Sequence, residues 1–189
     1  MKKRLAEMNL EELWQLFPIV LTSHQQYWLL WYKQEAAVLE AALTDTHITR
    51  ISHIGSTAID DIWAKPIIDI LVEIPLHANL EDIKEIILNI GYRCMSATEQ
   101  RMSFNKGYTE NGFEEKIFHL HVRYAGDNDE LYFRDYLREH PPLAKQYEEL
   151  KLSLWKKFEH NRDAYTESKT KFIGACTQQA KNKYKGRYQ

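Results

Sequence analysis

The segment from Pro66 to Ile74 is almost unbroken Ile, Leu and Val, interrupted only by Asp69 and Glu73 and closed by Pro75. A run this apolar and β-branched reads as a strand covered on both faces of a sheet. Covering both faces requires further layers, so the chain must build a small mixed sheet flanked by helices. The same run makes Asp69 expensive. A buried polar group left unmet costs on the order of 2 kcal/mol or more, and an ionised one several. Asp69 is therefore either a working carboxylate or one half of a structural ion pair with Lys65 or an arginine.

Helical periodicity surrounds this strand. Leu5, Met8, Leu10, Leu13, Trp14 and Phe17 follow a repeat near 3.6 residues that stops at Pro18. A second helix is expected from about His24 to Leu43, broken by Thr44 to His47. Ile48, Ile51 and Ile54 then sit in a β-branched run, and after Pro75 a helix from Leu80 to Ile90 closes on Gly91. Strand patterns follow at Tyr92 to Ala97, Arg101 to Tyr108 and Lys116 to Tyr124, with Asn111-Gly112 as a hairpin turn. From Asp127 the chain is helical again: one helix capped by Asp127 or Asn128 and ending near Glu139, one opened by Pro141-Pro142, and a last one entered at Asn161 and Asp163. The fold class is α/β (α+β), with N-terminal helices over 1–45, a mixed-sheet core over 46–125 and a C-terminal helical subdomain over 126–189.

With 189 residues, of which 44% are hydrophobic and 12% aromatic, the chain can bury a full core as one domain. A formal charge of -2 gives no strong nucleic-acid signal and no call for an anionic membrane. No apolar window reaches the length of a membrane span, and the basic start Met1-Lys2-Lys3-Arg4 leads into charged residues, so a cytoplasmic protein is expected. Cys94 and Cys176 are too few for a disulfide framework. The stretch from Asp163 onward carries six Lys or Arg against two acids, a pattern that reads as a solvated, helix-ending basic face.

Chemistry concentrates around His53-Ile54-Gly55-Ser56-Thr57. Glycine lets a backbone approach phosphate closely, while a serine hydroxyl and the next backbone N–H groups donate to its oxygens. The same residues also suit an ordinary turn in which Ser56 or Thr57 is an N-cap. His119 and His121, spaced i and i+2, share one face of a strand and could hold a metal with Asp69, or simply hydrogen-bond within the sheet. His53 is a candidate third imidazole or general base. Glu73 is about 13 Å further along the Asp69 strand at ~3.3 Å per residue, too far to share one ion. Arg134 and Arg138, four apart on a helix, could clamp phosphate or pair with Glu130 and Asp135.

Together these residues resemble the GrpB family, the glutamate-rich protein B group within the nucleotidyltransferase superfamily of polymerase-β-like fold, over about residues 19 to 175. The carriers are His53 to Ala58, Ala64-Lys65-Pro66-Ile67-Ile68-Asp69-Ile70, His119-Leu120-His121-Val122, and Phe133-Arg134-Asp135-Tyr136-Leu137-Arg138 with His140-Pro141, Tyr147 and Lys151. The resemblance implies that Gly55 and Ser56 hold nucleotide phosphates, with Thr57, Lys65, Arg134 and Arg138 as further candidate phosphate contacts. It also implies that Asp69 is catalytic and binds a divalent metal (Mg, Mn or Zn). The superfamily's second carboxylate falls at Leu71, and His119 or His121 stands where a third is expected. A glycine often found before the Lys-Pro pair is replaced by Asp61. Some family members are fused to dephospho-coenzyme A kinase. The expected function is a nucleotidyltransferase-like protein that binds a nucleotide and a divalent metal and transfers a nucleotidyl group to a small acceptor. The alternatives are a non-catalytic receptor for a nucleotide or coenzyme-A-like ligand and a metal-dependent hydrolase.

Overall fold

The computed structural model describes residues 3–46 and 48–188; His47, at the end of the expected helix break, lies outside them. The leading helical segment is divided. A 3-10 turn over Leu5–Glu7 precedes α1 (Leu10–Leu16). Asn9 starts the new helix by accepting from the Glu12 N–H at 2.9 Å, and the Asn9 N–H donates to the Glu12 carboxylate in return. This reciprocal cap outcompetes a continuous helix. Helix α2 (Tyr27–Ala42) begins three residues later than its periodicity suggests.

Five strands follow: β1 (Arg50–Ile54), β2 (Ile68–Ile74), then, after α3 (Leu80–Asn89), β3 (Arg93–Ala97), β4 (Arg101–Thr109) and β5 (Gly112–Tyr124). They form one sheet in the order β1-β2-β5-β4-β3, in which only β2 and β5 run parallel. Four helices complete the chain: α4 (Asp129–Glu139), α5 (Pro141–Phe158), α6 (Arg162–Glu167) and α7 (Thr170–Lys183). The single last helix expected from the sequence is thus two. No helix among the described residues is long and apolar enough to cross a membrane.

The two faces of the sheet differ in kind. Ile68, Ile70, Val72 and Ile74 of β2, with Phe118, Leu120 and Val122 of β5, pack under Trp28 and Leu39 of α2, Leu43 just after it, and Leu80, Ile83 and Ile87 of α3. Each such side chain contributes roughly 1.5–3 kcal/mol by leaving water, so this face anchors the sheet. The other face is ruled by strand register into three cross-strand rows: Ile54, Asp69, His119, Asn105; Ser52, Leu71, His121, Ser103; and Arg50, Glu73, Arg123, Arg101. It is mostly polar. The C-terminal helices cover it in part, with Leu131 and Tyr188 seated on Ile54 and Leu71. Glu73, which is almost fully buried, is held by Arg50 at 3.3 Å and by the Asn128 amide at 2.8 Å.

The basic C-terminal segment is not simply solvated. Lys181 pairs with Asp129 at 2.7 Å, Lys183 with Glu139 at 3.3 Å and Arg187 with Glu139 at 3.1 Å, tying the tail to α4.

Candidate functional site

Where β1 ends, Gly55 takes φ 70° and ψ -172°, a conformation open to glycine and strained for other residues. The chain then makes a 3-10 turn over Ser56–Ala58. A Cβ on Gly55 would lie 2.2 Å from Oδ2 of Asp69, so the turn and the β2 carboxylate are in direct contact. The Ser56 side chain meets the buried Tyr147 hydroxyl of α5, whose pKa burial pushes up to about 12.

Thr57, His53, Arg134 and Arg138 support this turn from behind and from the side. The Thr57 hydroxyl donates to the Ile67 carbonyl at 3.1 Å, which leaves Nε2 of His53, 3.0 Å away, as a donor to Thr57. His53 pairs in register with Ile70, on the helix-covered face, and stacks on Tyr32 of α2 at 4.8 Å. It is therefore on the opposite face of the sheet from Asp69, and burial lowers its pKa to about 4. Arg134 donates to the His53 carbonyl at 2.8 Å and pairs with Asp135 rather than Glu130, while Arg138 donates to the Ala58 carbonyl at 2.7 Å. Both guanidinium groups grip the backbone of the turn.

The sheet does bring Asp69, His119 and His121 together. Oδ1 of Asp69 lies 3.3 Å from Nδ1 of His119 and 3.9 Å from Nε2 of His121. Burial pushes the Asp69 carboxyl up, but hydrogen bonds and charge from the two imidazoles outweigh it and hold the group far below the usual carboxylate range. Nε2 of His119 is 2.7 Å from the Tyr108 hydroxyl, which accepts from Arg162 at 3.1 Å. With that oxygen already accepting, Tyr108 gives its proton to Nε2, and Nδ1–H of His119 faces Asp69. Tyr108 reaches this face because the β4–β5 register slips between Lys106 and Tyr108, at Gly107 (φ 89°), where a Cβ would sit 2.3 Å from the Lys116 carbonyl.

The second carboxylate that the sequence resemblance would place two residues after Asp69 is absent, its position being Leu71. Leu71, at the second position, is 0% exposed and packed beneath Leu131 and Tyr188. Nδ1 of His119 is near enough to donate to Asp69, while Nε2 of His121 stays in looser contact at 3.9 Å. Among the described residues, no group of three or more His, Cys, Asp or Glu is arranged to hold an ion.

Cations crowd the site instead. Lys65 and Lys169 both approach the Tyr165 ring, at 4.9 and 4.3 Å, and the charge of Asp69 reaches both. Lys151, 2% exposed, gives its ammonium to the Trp63 carbonyl and so pins the loop that leads into β2. In that loop Asp61 adopts φ 60°, the left-handed conformation that a glycine would take without strain. Tyr108, Arg162 and Lys169 escaped sequence reasoning. Lys169 was hidden in a basic stretch, Arg162 carried no motif, and only the Gly107-Tyr108 pair hinted at a bulge.

This chain is similar to the glutamate-rich protein GrpB of Alkalihalophilus pseudofirmus, with 35% identity over 162 residues that cover 82% of this chain and 91% of that one. The crystal structure of the conserved protein GrpB from Enterococcus faecalis superposes with a TM-score of 0.74 at 30% identity, covering 87% of this chain and 99% of the other. The Cid1 poly(U) polymerase bound to MgGTP matches with a TM-score of 0.51 at 12% identity, over 71% of this chain and 44% of the polymerase, which shows a shared nucleotidyltransferase fold. The sequence profile described as GrpB protein matches residues 18–179, most of the chain and all the residues of the site just described. The protein belongs to the GrpB family.

Proposed function

We propose that the protein binds a nucleotide by its phosphates between the Gly55-Ser56 turn and the Asp69 strand, and transfers a nucleotidyl group to a small acceptor. The contact of Gly55 against Asp69 carries this reading: donors suited to phosphate and a carboxylate held ionised lie side by side. The backbone N–H groups after Gly55 and the Ser56 hydroxyl bind phosphate oxygens, and Lys65 offsets their charge. The acceptor oxygen bonds to the α-phosphorus as the bond to the bridging oxygen breaks and pyrophosphate leaves. The acceptor's proton passes to the set formed by Asp69, His119 and His121. Thr57, His53, Arg134 and Arg138 position the turn. The nucleotide-bound Cid1 polymerase supports the reading at the level of fold.

The buried Leu71 favours a second reading, a receptor for a nucleotide or coenzyme-A-like ligand without turnover. Pyrophosphate release from a panel of nucleoside triphosphates and small acceptors, with Mg, Mn, Zn or no metal, separates the two. Transfer predicts release by the parent protein and its loss in Asp69→Asn with ligand affinity kept. A ligand-induced thermal shift with no release under any condition supports the receptor. Release without an acceptor indicates hydrolysis.

A further inference from the structure

Lys65 precedes β2, Arg162 opens α6 and Lys169 lies just before α7, yet the fold gathers all three at the Asp69 end of the polar sheet face. Lys65 and Lys169 approach one ring, that of Tyr165. The Arg162 guanidinium lies 5.6 Å from the centre of the Tyr108 ring and donates to the hydroxyl that contacts His119. Among the described residues no carboxylate comes within 4.0 Å of any of these cations. Tyr165 is 0% exposed and its hydroxyl has no partner among the described residues.

Three cations around one carboxylate leave positive charge unbalanced in a crowded region, which is costly without a counter-anion. The lysines register that cost. Burial, then repulsion from Lys169 and Arg162, lowers Lys65 to about 7, and burial lowers Lys169 to about 8. The opposite is true where the superfamily would place metal-binding charge, because Leu71 seals that position with hydrocarbon.

We infer that Lys65, Arg162 and Lys169 form a pocket for the polyphosphate chain of the ligand and take it as a metal-free anion, supplying the positive charge that bound ions would otherwise provide. This rests on the nucleotide-binding reading above and adds the ionic form of the ligand. Cationic side chains of this kind stabilise phosphate oxygens directly, arginine through paired N–H donors and lysine as a point charge.

Calorimetric titration with inorganic tripolyphosphate and with ATP, in EDTA and in Mg, tests it on the full chain. The parent should bind both ligands in EDTA, with no gain of affinity in Mg. Lys169→Met and Arg162→Gln should each weaken tripolyphosphate at least tenfold, while Lys171→Met, an exposed neighbour, should not. Circular dichroism on each variant confirms its fold. Binding that requires Mg, or that survives both substitutions, overturns the metal-free pocket and leaves the nucleotide reading standing. Failure of both ligands to bind in either medium overturns the nucleotide reading as well.

Discussion

Gly55 and Asp69 meet so closely that a single added carbon on Gly55 would stand 2.2 Å from the Asp69 carboxylate. The backbone there also has φ 70°, so alanine would be strained even in open space. Gly55→Ala should therefore destabilise the fold by about 2 kcal/mol or more. It should also abolish the thermal shift given by a triphosphate. Differential scanning fluorimetry with and without ligand measures both, and an unchanged melting temperature would show that the turn yields freely.

His53 makes the protein sensitive to mild acid. Its pKa falls from 6.5 unfolded to about 4 folded, because burial disfavours the imidazolium. The unfolded chain thus binds more protons across this window, so the contribution is fully present above pH 6.5 and is lost as pH drops toward 4. At ~1.4 kcal/mol per pKa unit the total is at most about 3 to 4 kcal/mol. In His53→Gln, which can still donate to Thr57, urea unfolding between pH 7 and pH 4.5 should show a visibly shallower loss of stability than in the parent.

Ligand binding should draw protons from solution. Free Lys65 and Lys169 are partly neutral at pH 8, since their folded pKa values are lowered to about 7 and 8. Without ligand, stability should rise with pH from about 7 toward 10.5, where the unfolded chain still binds the protons that the folded one has shed. A bound anion raises both pKa values again. Titrations of triphosphate at pH 8 in buffers of different ionisation enthalpy should report uptake of about one proton, reduced in Lys65→Met. Proton release would contradict the arrangement of charges.

Leu71 is a plug and not a vacant carboxylate position. Leu71→Asp would place a charge beneath Leu131 and Tyr188, at a cost of about 3 kcal/mol or more. The variant should melt lower than the parent in Mg and in EDTA alike. Stabilisation of the variant by Mg, to the parent's level, would mean that a second metal-binding carboxylate beside Asp69 can be installed by one residue.

The sequence by itself determined the elements whose signals are local. The apolar run from Pro66 to Ile74 holds a strand, Ile68–Ile74, Gly91 ends α3, and Asp69 stands out because so apolar a segment tolerates a carboxylate only for a reason. The i, i+2 spacing put His119 and His121 on one face, and Asp61 stands where the backbone takes a left-handed turn. What only the tertiary structure decided depends on which surfaces meet. Strand register turned His53 away from Asp69, although both flank the same turn. The docking of α4 sent Arg134 and Arg138 to backbone carbonyls, and a bulge at Gly107 turned Tyr108 toward His119. Lys169, one basic residue among many in its stretch, reached the site only because α6 packs on α5 and α7 on α4, which sets it against the Tyr165 ring. Periodicity along a chain reports which side of an element is apolar. Partners distant in sequence are selected by packing between elements, and no local pattern records that selection.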